Sequence, residues 1–486
     1  MKKKLHILVI IIGTIFVSLS AFHENIWFDE SYSVALAEKS FGEIWTIGGN
    51  DVHPILYYWM LHIINLIFGK NLIAYRLFSV LGVLILGIIG FTHIRKDFGE
   101  KAGIIFSYLA FFLPVISLYA AEIRMYTWVA TFVVIAGIYA YRIKNKNTWK
   151  NWIIFGIFSL ASCYTHYYGL MAAGLMNLGL FIYSIIKKDK KMLTKFVAIA
   201  VVQIALYMPW MICFIKQVTQ VSSGFWITLK FPDVLIQSFN FQYILQGEER
   251  IGLNNQTIFT LLLIGIFYIY LASLMKKTKE ERIPVICAIV LYVAVILAAL
   301  IISIAVTPIL YSRYIFAITG LIIFAISIML SKEENMKKIA IVLISITTLA
   351  CINEIKLIVQ NYDKQNMQPV EYIEERLREG DIIIYNKIGA GSTFAIFLNN
   401  NQQYFVNLEN WNVEEAYKAY GPQMETVRDF NFLENYKGRI WLVHENNAEE
   451  FYEKMPKDNI KIIEEKIDFE TKYHNNKYSI MCVEKN

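Results

Sequence analysis

A chain of 486 residues that is 56% hydrophobic and only 18% charged is too apolar for a soluble protein, and its apolar residues come in long unbroken runs, not amphipathic stripes. The net charge of +6 does not point to nucleic acid, because most basic residues sit in short links between apolar runs, which is a topology signal. Cys163, Cys213, Cys287 and Cys351 lie in or beside apolar runs and Cys482 stands alone, with no CxxC and no His/Cys metal spacing, so neither a disulfide framework nor a cysteine zinc site is expected.

Lys2-Lys3-Lys4 and the apolar run to about Ala21 resemble a signal peptide, but no small-x-small cleavage site follows cleanly and the run is long enough to remain as a span. Windows able to cross about 30 Å of hydrocarbon fall near 5–22, 72–94, 102–120, 122–141, 151–165, 167–186, 193–213, 257–275, 283–306, 314–330 and 338–353, eleven in all. Basic links (Lys2 to Lys4, Arg95-Lys96 with Lys101, Arg142 to Lys150, Lys187 to Lys191, Lys276 to Arg282, Lys332 with Lys337-Lys338) alternate with less basic ones. The positive-inside rule makes the basic links cytoplasmic. Links 23–71, about 120–122, about 165–167, 214–256 and 307–313, and the tail, then face the extracytoplasmic side of a cell membrane.

Within the first external loop, 31–47 and 54–68 each read as a short helix with an apolar side (Val34, Leu36, Phe41, Ile44, Trp45; Ile55, Leu56, Trp59, Ile63, Ile64), lying at the interface. A crossing by 54–68 would reverse all later parity. From about 366 the composition becomes charged and Asn-rich. Helices over 371–379, 413–420 and 448–454 and strands over 381–385, 403–407 and 439–444 suggest a small α/β domain. Gly389-Ala390-Gly391-Ser392 lacks the third glycine and downstream acid of a dinucleotide loop and reads as a turn. The expected organisation is a polytopic α-helical membrane domain, 1–353, with its first external loop 23–71, a linker 354–365, and an extracytoplasmic α/β domain, 366–486.

By parity, the unusual polar residues share one membrane face: Asp29 and Glu30 after the first span, Asp51 and His53 before the second short helix, Glu122, Arg124 and Tyr126 at the fourth span, His166 between spans five and six, and Arg313 at span ten. Singly, each has a plainer reading. An acidic pair can be a solvated boundary, His166 with Tyr167 an aromatic-belt anchor, and Arg313 a snorkelling side chain. Glu122 and Arg124, two apart, do not form an i,i+4 surface pair. Convergence on one face favours a site. A carboxylate there can take a proton from a hydroxyl, and a guanidinium can hold a phosphate. A lipid-phosphate sugar would need little more, since its leaving group requires charge stabilisation and not a strong acid.

The strings Phe28-Asp29-Glu30, Asp51-Val52-His53-Pro54, Tyr119-Ala120-Ala121-Glu122-Ile123-Arg124-Met125-Tyr126 and Tyr164-Thr165-His166-Tyr167-Tyr168-Gly169 resemble the bacterial membrane glycosyltransferases of the GT-C superfamily. The branch is that of protein O-mannosyltransferases and lipid A aminoarabinose transferases, and the resemblance covers roughly residues 5–330. It implies inverting transfer of a sugar from a polyprenyl-phosphate donor to a hydroxyl-bearing acceptor outside the cytoplasm. Asp29 would be the general base, and Glu30 its partner, orienting acceptor or metal. His53, Glu122, Arg124 and Tyr126 would surround the donor phosphate with Arg124 as its main contact, and His166 and Arg313 would be further contacts. Some relatives use a divalent cation, for which Glu30, Asp51 and His53 are the candidates here without forming a closed set. A ligase or polymerase using a pyrophosphate-linked oligosaccharide is the nearest enzymatic alternative. A lipid-linked saccharide flippase would more often show internal repeats and broken mid-membrane helices, and a tail-borne receptor would not need eleven spans as its anchor.

Overall fold

The computed structural model describes residues 2–223, 227–245, 255–408, 413–445 and 454–486. Every expected span is helical over most of its length, though 122–141 becomes helical only from Tyr126. Nine helices among the described residues are long and apolar enough to cross a membrane: Lys2–Ala21, Leu72–Phe98, Tyr126–Asn145, Tyr167–Ile186, Lys190–Val221, Thr257–Met275, Arg282–Ala305, Ser312–Ser331 and Met336–Asn361. The other two expected spans are shorter. Trp149–Thr165 has 17 residues, and the run 102–120 is broken into Glu100–Phe112 and Pro114–Tyr119. Pro114 causes the break, because it has no N–H to offer the preceding turn and forces Leu113 into an extended conformation with ψ of 131°. Helix Leu56–Phe68, at 13 residues, is too short to span, as expected of an interfacial element.

The chain forms two compact units. The first comprises 1–21, 52–57 and 76–357, the second 22–51, 58–75 and 358–486. The loop 23–71, expected with the membrane domain, therefore clusters largely with residues 358–486.

In the first unit, Ser312–Ser331 is buried along most of its length, whereas Lys190–Val221 is mostly exposed on its apolar surface, as suits a helix facing lipid. Polar groups in the bundle find partners inside it, as hydrocarbon requires. Asn353 donates to the carbonyls of Pro114 and Ile244, both at 3.0 Å, and so satisfies the backbone at the helix break. His6 Nε2 lies 2.7 Å from the hydroxyl of Ser107, which itself donates to the carbonyl of Gly87 at 2.6 Å. Small residues permit the closest helix approach: a Cβ on Gly103 would lie 2.6 Å from the carbonyl oxygen of Gly90.

The second unit is built on a six-stranded mixed sheet. Its strands are β1 (Ile382–Tyr385), β2 (Gln403–Val406), β3 (Met424–Val427), β4 (Gly438–Glu445), β5 (Ile460–Glu470) and β6 (Lys477–Lys485), in the order β3-β2-β1-β4-β6-β5. β1 is parallel to β2 and β4, and β2 to β3; β6 joins β4 and β5 antiparallel. Ile382, Ile384, Val406, Ile440, Leu442 and Val483 form one buried face with Phe430 and Leu433. Helix Ile388–Phe397 crosses from β1 to β2 and packs on helix Phe28–Ala37 from the loop. A second loop helix, Phe41–Gly48, starts at a capping box in which Ser40 and Glu43 satisfy each other's backbone N–H groups.

Two expectations change. Residues 389–392 are the first turn of helix Ile388–Phe397 and not a free turn. A Cβ on Gly389 would meet the Glu445 carboxylate at 2.7 Å, so this carboxylate occupies the place where a dinucleotide loop would hold phosphate. The predicted strand–helix alternation also omits β3, β5 and β6. The helix expected over 448–454 lies almost wholly outside the described residues.

His444, fully buried in β4, has its pKa pushed down to about 3, first by burial and then by the charge of Lys466. In the unfolded chain this imidazole takes up a proton as pH falls through about 6.5. The folded state binds fewer protons, so stability is full above that value and declines on acidification towards pH 3. Thermal unfolding of the full chain in detergent should therefore fall by roughly 2 °C between pH 7 and pH 5, and His444→Leu should flatten that dependence.

Candidate functional site

The first unit gathers its polar residues where helices stop. His53 sits in the bend before helix Leu56–Phe68, and Arg124 in the bent segment between Pro114–Tyr119 and Tyr126–Asn145. His166 is the single residue linking Trp149–Thr165 to Tyr167–Ile186, and Tyr314 lies in the 3-10 turn Ser312–Ile318. Irregular backbone at such depth is tolerated where it lines a protein-enclosed polar site.

These residues meet. Arg124 Nη2 is 3.5 Å from His53 Nε2, and both residues are buried. The His53 ring lies 5.8 Å from His166 and 6.2 Å from Tyr314, centre to centre. His166 is in turn 6.0 Å from Tyr126 and 5.1 Å from Tyr314. Nδ1 of His166 accepts from the backbone N–H of Tyr168 at 3.1 Å. Burial, helped by the neighbouring His53 and Arg124, holds this imidazole well below its ordinary pKa. A neutral ring that accepts at Nδ1 carries its proton on Nε2. Among the described residues, the buried His166 Nε2 and the buried Tyr126 hydroxyl have no hydrogen-bond partner. Buried donors are seldom left unmatched. A guanidinium, an imidazole N–H and a phenol together suit an anionic oxygen group such as phosphate.

Glu122 and Arg313 border the cluster. The carbonyl of Glu122 accepts from Arg124 N–H at 2.7 Å, which fixes the bend, and the Arg313 guanidinium lies 5.0 Å over the Tyr311 ring. The sequence reading missed Arg76, which is 1% exposed and donates to the carbonyl of Ala121 at 3.4 Å. Its signal was legible as one arginine inside an apolar run. Tyr168 stands in one of the strings that carry the resemblance and Tyr314 beside Arg313, but neither was given a role, since aromatics are common throughout this chain.

The acidic pair belongs to the second unit. Asp29 and Glu30 occupy the first turn of Phe28–Ala37, and their environments differ. Asp29 is half-buried, while Glu30 is fully buried and accepts from the Tyr473 hydroxyl at 2.7 Å. Ser31 Oγ donates to the carbonyl of Phe28 at 2.7 Å and lies 3.1 Å from the Tyr420 hydroxyl. Burial, with a contribution from the negative charges of Asp29 and Asp51, raises the pKa of Tyr420, so it stays a neutral phenol. Among the described residues, no three His, Cys, Asp or Glu side chains converge as a metal site.

Residues 52–229 match the family model described as dolichyl-phosphate-mannose-protein mannosyltransferase. That segment contains His53, Glu122, Arg124, Tyr126 and His166. The fold is similar to that of ArnT from Cupriavidus metallidurans, solved bound to undecaprenyl phosphate, at 14% identity and a TM-score of 0.60, covering 98% of this chain and 97% of that one. Against ArnT in the apo state the values are 12% and 0.62, with the same coverage. The archaeal oligosaccharyltransferase AglB from Archaeoglobus fulgidus, in complex with an inhibitory peptide and a dolichol-phosphate, matches at 11% identity and a TM-score of 0.50, over 92% of this chain and 70% of that one. No curated protein sequence matches the chain. The resemblance read from the sequence is thus matched by a mannosyltransferase family model over residues 52–229, and the overall fold is similar to that of ArnT.

Because a hydrogen bond to a charged group contributes about 1.5–3 kcal/mol, Arg124→Gln should weaken binding of inorganic phosphate to the solubilised protein about tenfold or more. Phosphorus NMR titration checks this, and unchanged affinity would remove the cluster as an anion site.

Proposed function

We propose that the chain is an inverting membrane glycosyltransferase that takes a hexosyl or pentosyl group from a polyprenyl phosphate on the extracytoplasmic face and passes it to a hydroxyl of a glycan, lipid or protein. The observation that carries this reading is the buried donor cluster of Arg124, His53, His166 and Tyr126, inside the segment matched by the mannosyltransferase family model. The likeness to a fold solved with undecaprenyl phosphate bound supports the same donor class.

In this reading Arg124 and the neighbouring donors hold the phosphate oxygens and stabilise the charge that develops as the sugar C1–O bond breaks. Asp29, the more accessible acid of the pair, takes the proton of the acceptor hydroxyl while its oxygen attacks C1 from the opposite face. One C–O bond forms and one breaks. The electron pair leaves with the polyprenyl phosphate, already a weak base, so no general acid is required. Glu122 and Arg313 complete the surroundings of the donor.

Purified protein given a polyprenyl-phosphate sugar should release polyprenyl phosphate, and Asp29→Asn, still folded, should lose about 10²–10⁴-fold in kcat, the range ascribed to general base catalysis. Full transfer by Asp29→Asn would sink the assignment. Turnover only of a pyrophosphate-linked oligosaccharide would favour the ligase alternative. A cysteine-accessibility scan placing Asp29 and Lys187 on the same side would overturn the orientation.

A further inference from the structure

Glu30 stands beside the proposed base, yet its carboxylate is fully buried and is held by a hydroxyl that comes from the far end of the chain. The turn that delivers this hydroxyl, residues 471–476 between β5 and β6, is unusually constrained. His474 and Asn475 both have positive φ, at 56° and 52°, a conformation uncommon for residues other than glycine and sustained only when its surroundings fix it. Here they do. Asn366 Oδ1 accepts from the backbone N–H groups of both Lys472 and Tyr473 at 2.9 Å, and Lys472 Nζ lies 2.5 Å from Asp363. Thr471 N–H donates to the carbonyl of Asn476 at 2.9 Å, closing the turn.

The braced turn presents two rings to the stretch that leads into the acidic helix. The Tyr473 ring packs edge-on to His23 at 5.4 Å, and His474 stacks on Trp27 at 4.4 Å with the planes 14° apart. Trp27 is the residue at the start of helix Phe28–Ala37, and its carbonyl accepts from Ser31 N–H at 2.8 Å. The turn therefore grips the helix at its entry and, through Glu30, in its first turn.

We propose that the turn 471–476 is a positioning element for the proposed transfer, and that Tyr473 acts through Glu30 to fix the direction of the Asp29 carboxylate. Glu30 is then a positioning residue and not a reacting group. This rests on the glycosyltransferase reading for its kinetic consequence, but the hold of Tyr473 on the helix does not.

The test uses the full chain in detergent and compares Tyr473→Phe, Glu30→Ala and the double variant. Tyr473→Phe should lower kcat about tenfold with the donor KM within about twofold, as expected when geometry is loosened and donor binding is not. Glu30→Ala and the double variant should show equal losses, because the Tyr473 hydroxyl acts on the helix through Glu30 and that bond is already lost in the single variant. Hydrogen exchange over 28–37 should rise by a similar factor in all three variants. Additive losses, or Tyr473→Phe with unchanged kcat and unchanged exchange, would overturn the proposal. Faster exchange in a protein that transfers no sugar from any polyprenyl-phosphate donor would sustain the grip on the helix while discarding the transferase reading.

Discussion

A charged side chain inside an apolar helical bundle is expensive unless its surroundings supply partners, and the first unit is arranged around that constraint. Arg76 and Arg124 are almost fully buried, and both lie against backbone freed from helical hydrogen bonding: Arg76 on the carbonyl of Ala121, Arg124 in the bend after it. His53 and His166 occupy two more such interruptions. Pro114 belongs to the same logic, because the break it imposes between Glu100–Phe112 and Pro114–Tyr119 is paired by Asn353 from a helix more than two hundred positions away. The helices thus stop early where polar atoms are needed and run long where only lipid must be met.

The two kinds of charge in the proposed chemistry belong to different compact units. Guanidinium and imidazole groups stand in the helical bundle, while Asp29, Glu30 and Asp51 stand in the unit formed from the loop and tail. In that second unit the acids are surrounded by phenols. Tyr473 donates to Glu30, and Tyr420 stays protonated beside Asp29 and Asp51. A phenol can hold a carboxylate by hydrogen bonding without adding a positive charge that would neutralise it.

Most of the helical architecture was legible because runs of roughly twenty apolar residues leave few alternatives in a membrane. The donor cluster was legible in part: His53, Arg124, Tyr126 and His166 announced themselves as polar residues at span ends, and they meet in space. Tyr314 did not, being one aromatic among many. The resemblance distinguished Asp29 from Glu30 by role, but the difference in their surroundings was out of reach, since the hydroxyl that holds Glu30 comes from a tyrosine hundreds of residues away. The tail was harder still. β5 is largely exposed and carries charge on both faces, so it lacks the alternation that marks a half-buried strand. The glycines at 389 and 391 resemble a turn in one dimension, and only Glu445 shows why the helix start is closed to a phosphate.

The bond from Tyr473 to Glu30 joins positions 443 residues apart. During synthesis the acidic helix emerges soon after the first span, but the hydroxyl that fixes it exists only after the bundle and nearly the whole sheet have been made. Contacts of such sequence separation close late, after the loop entropy of the intervening chain has been overcome. Any product that ends before residue 473 carries the carboxylates without this brace. The order of synthesis therefore makes the turn at 471–476 one of the last elements able to reach the acidic helix.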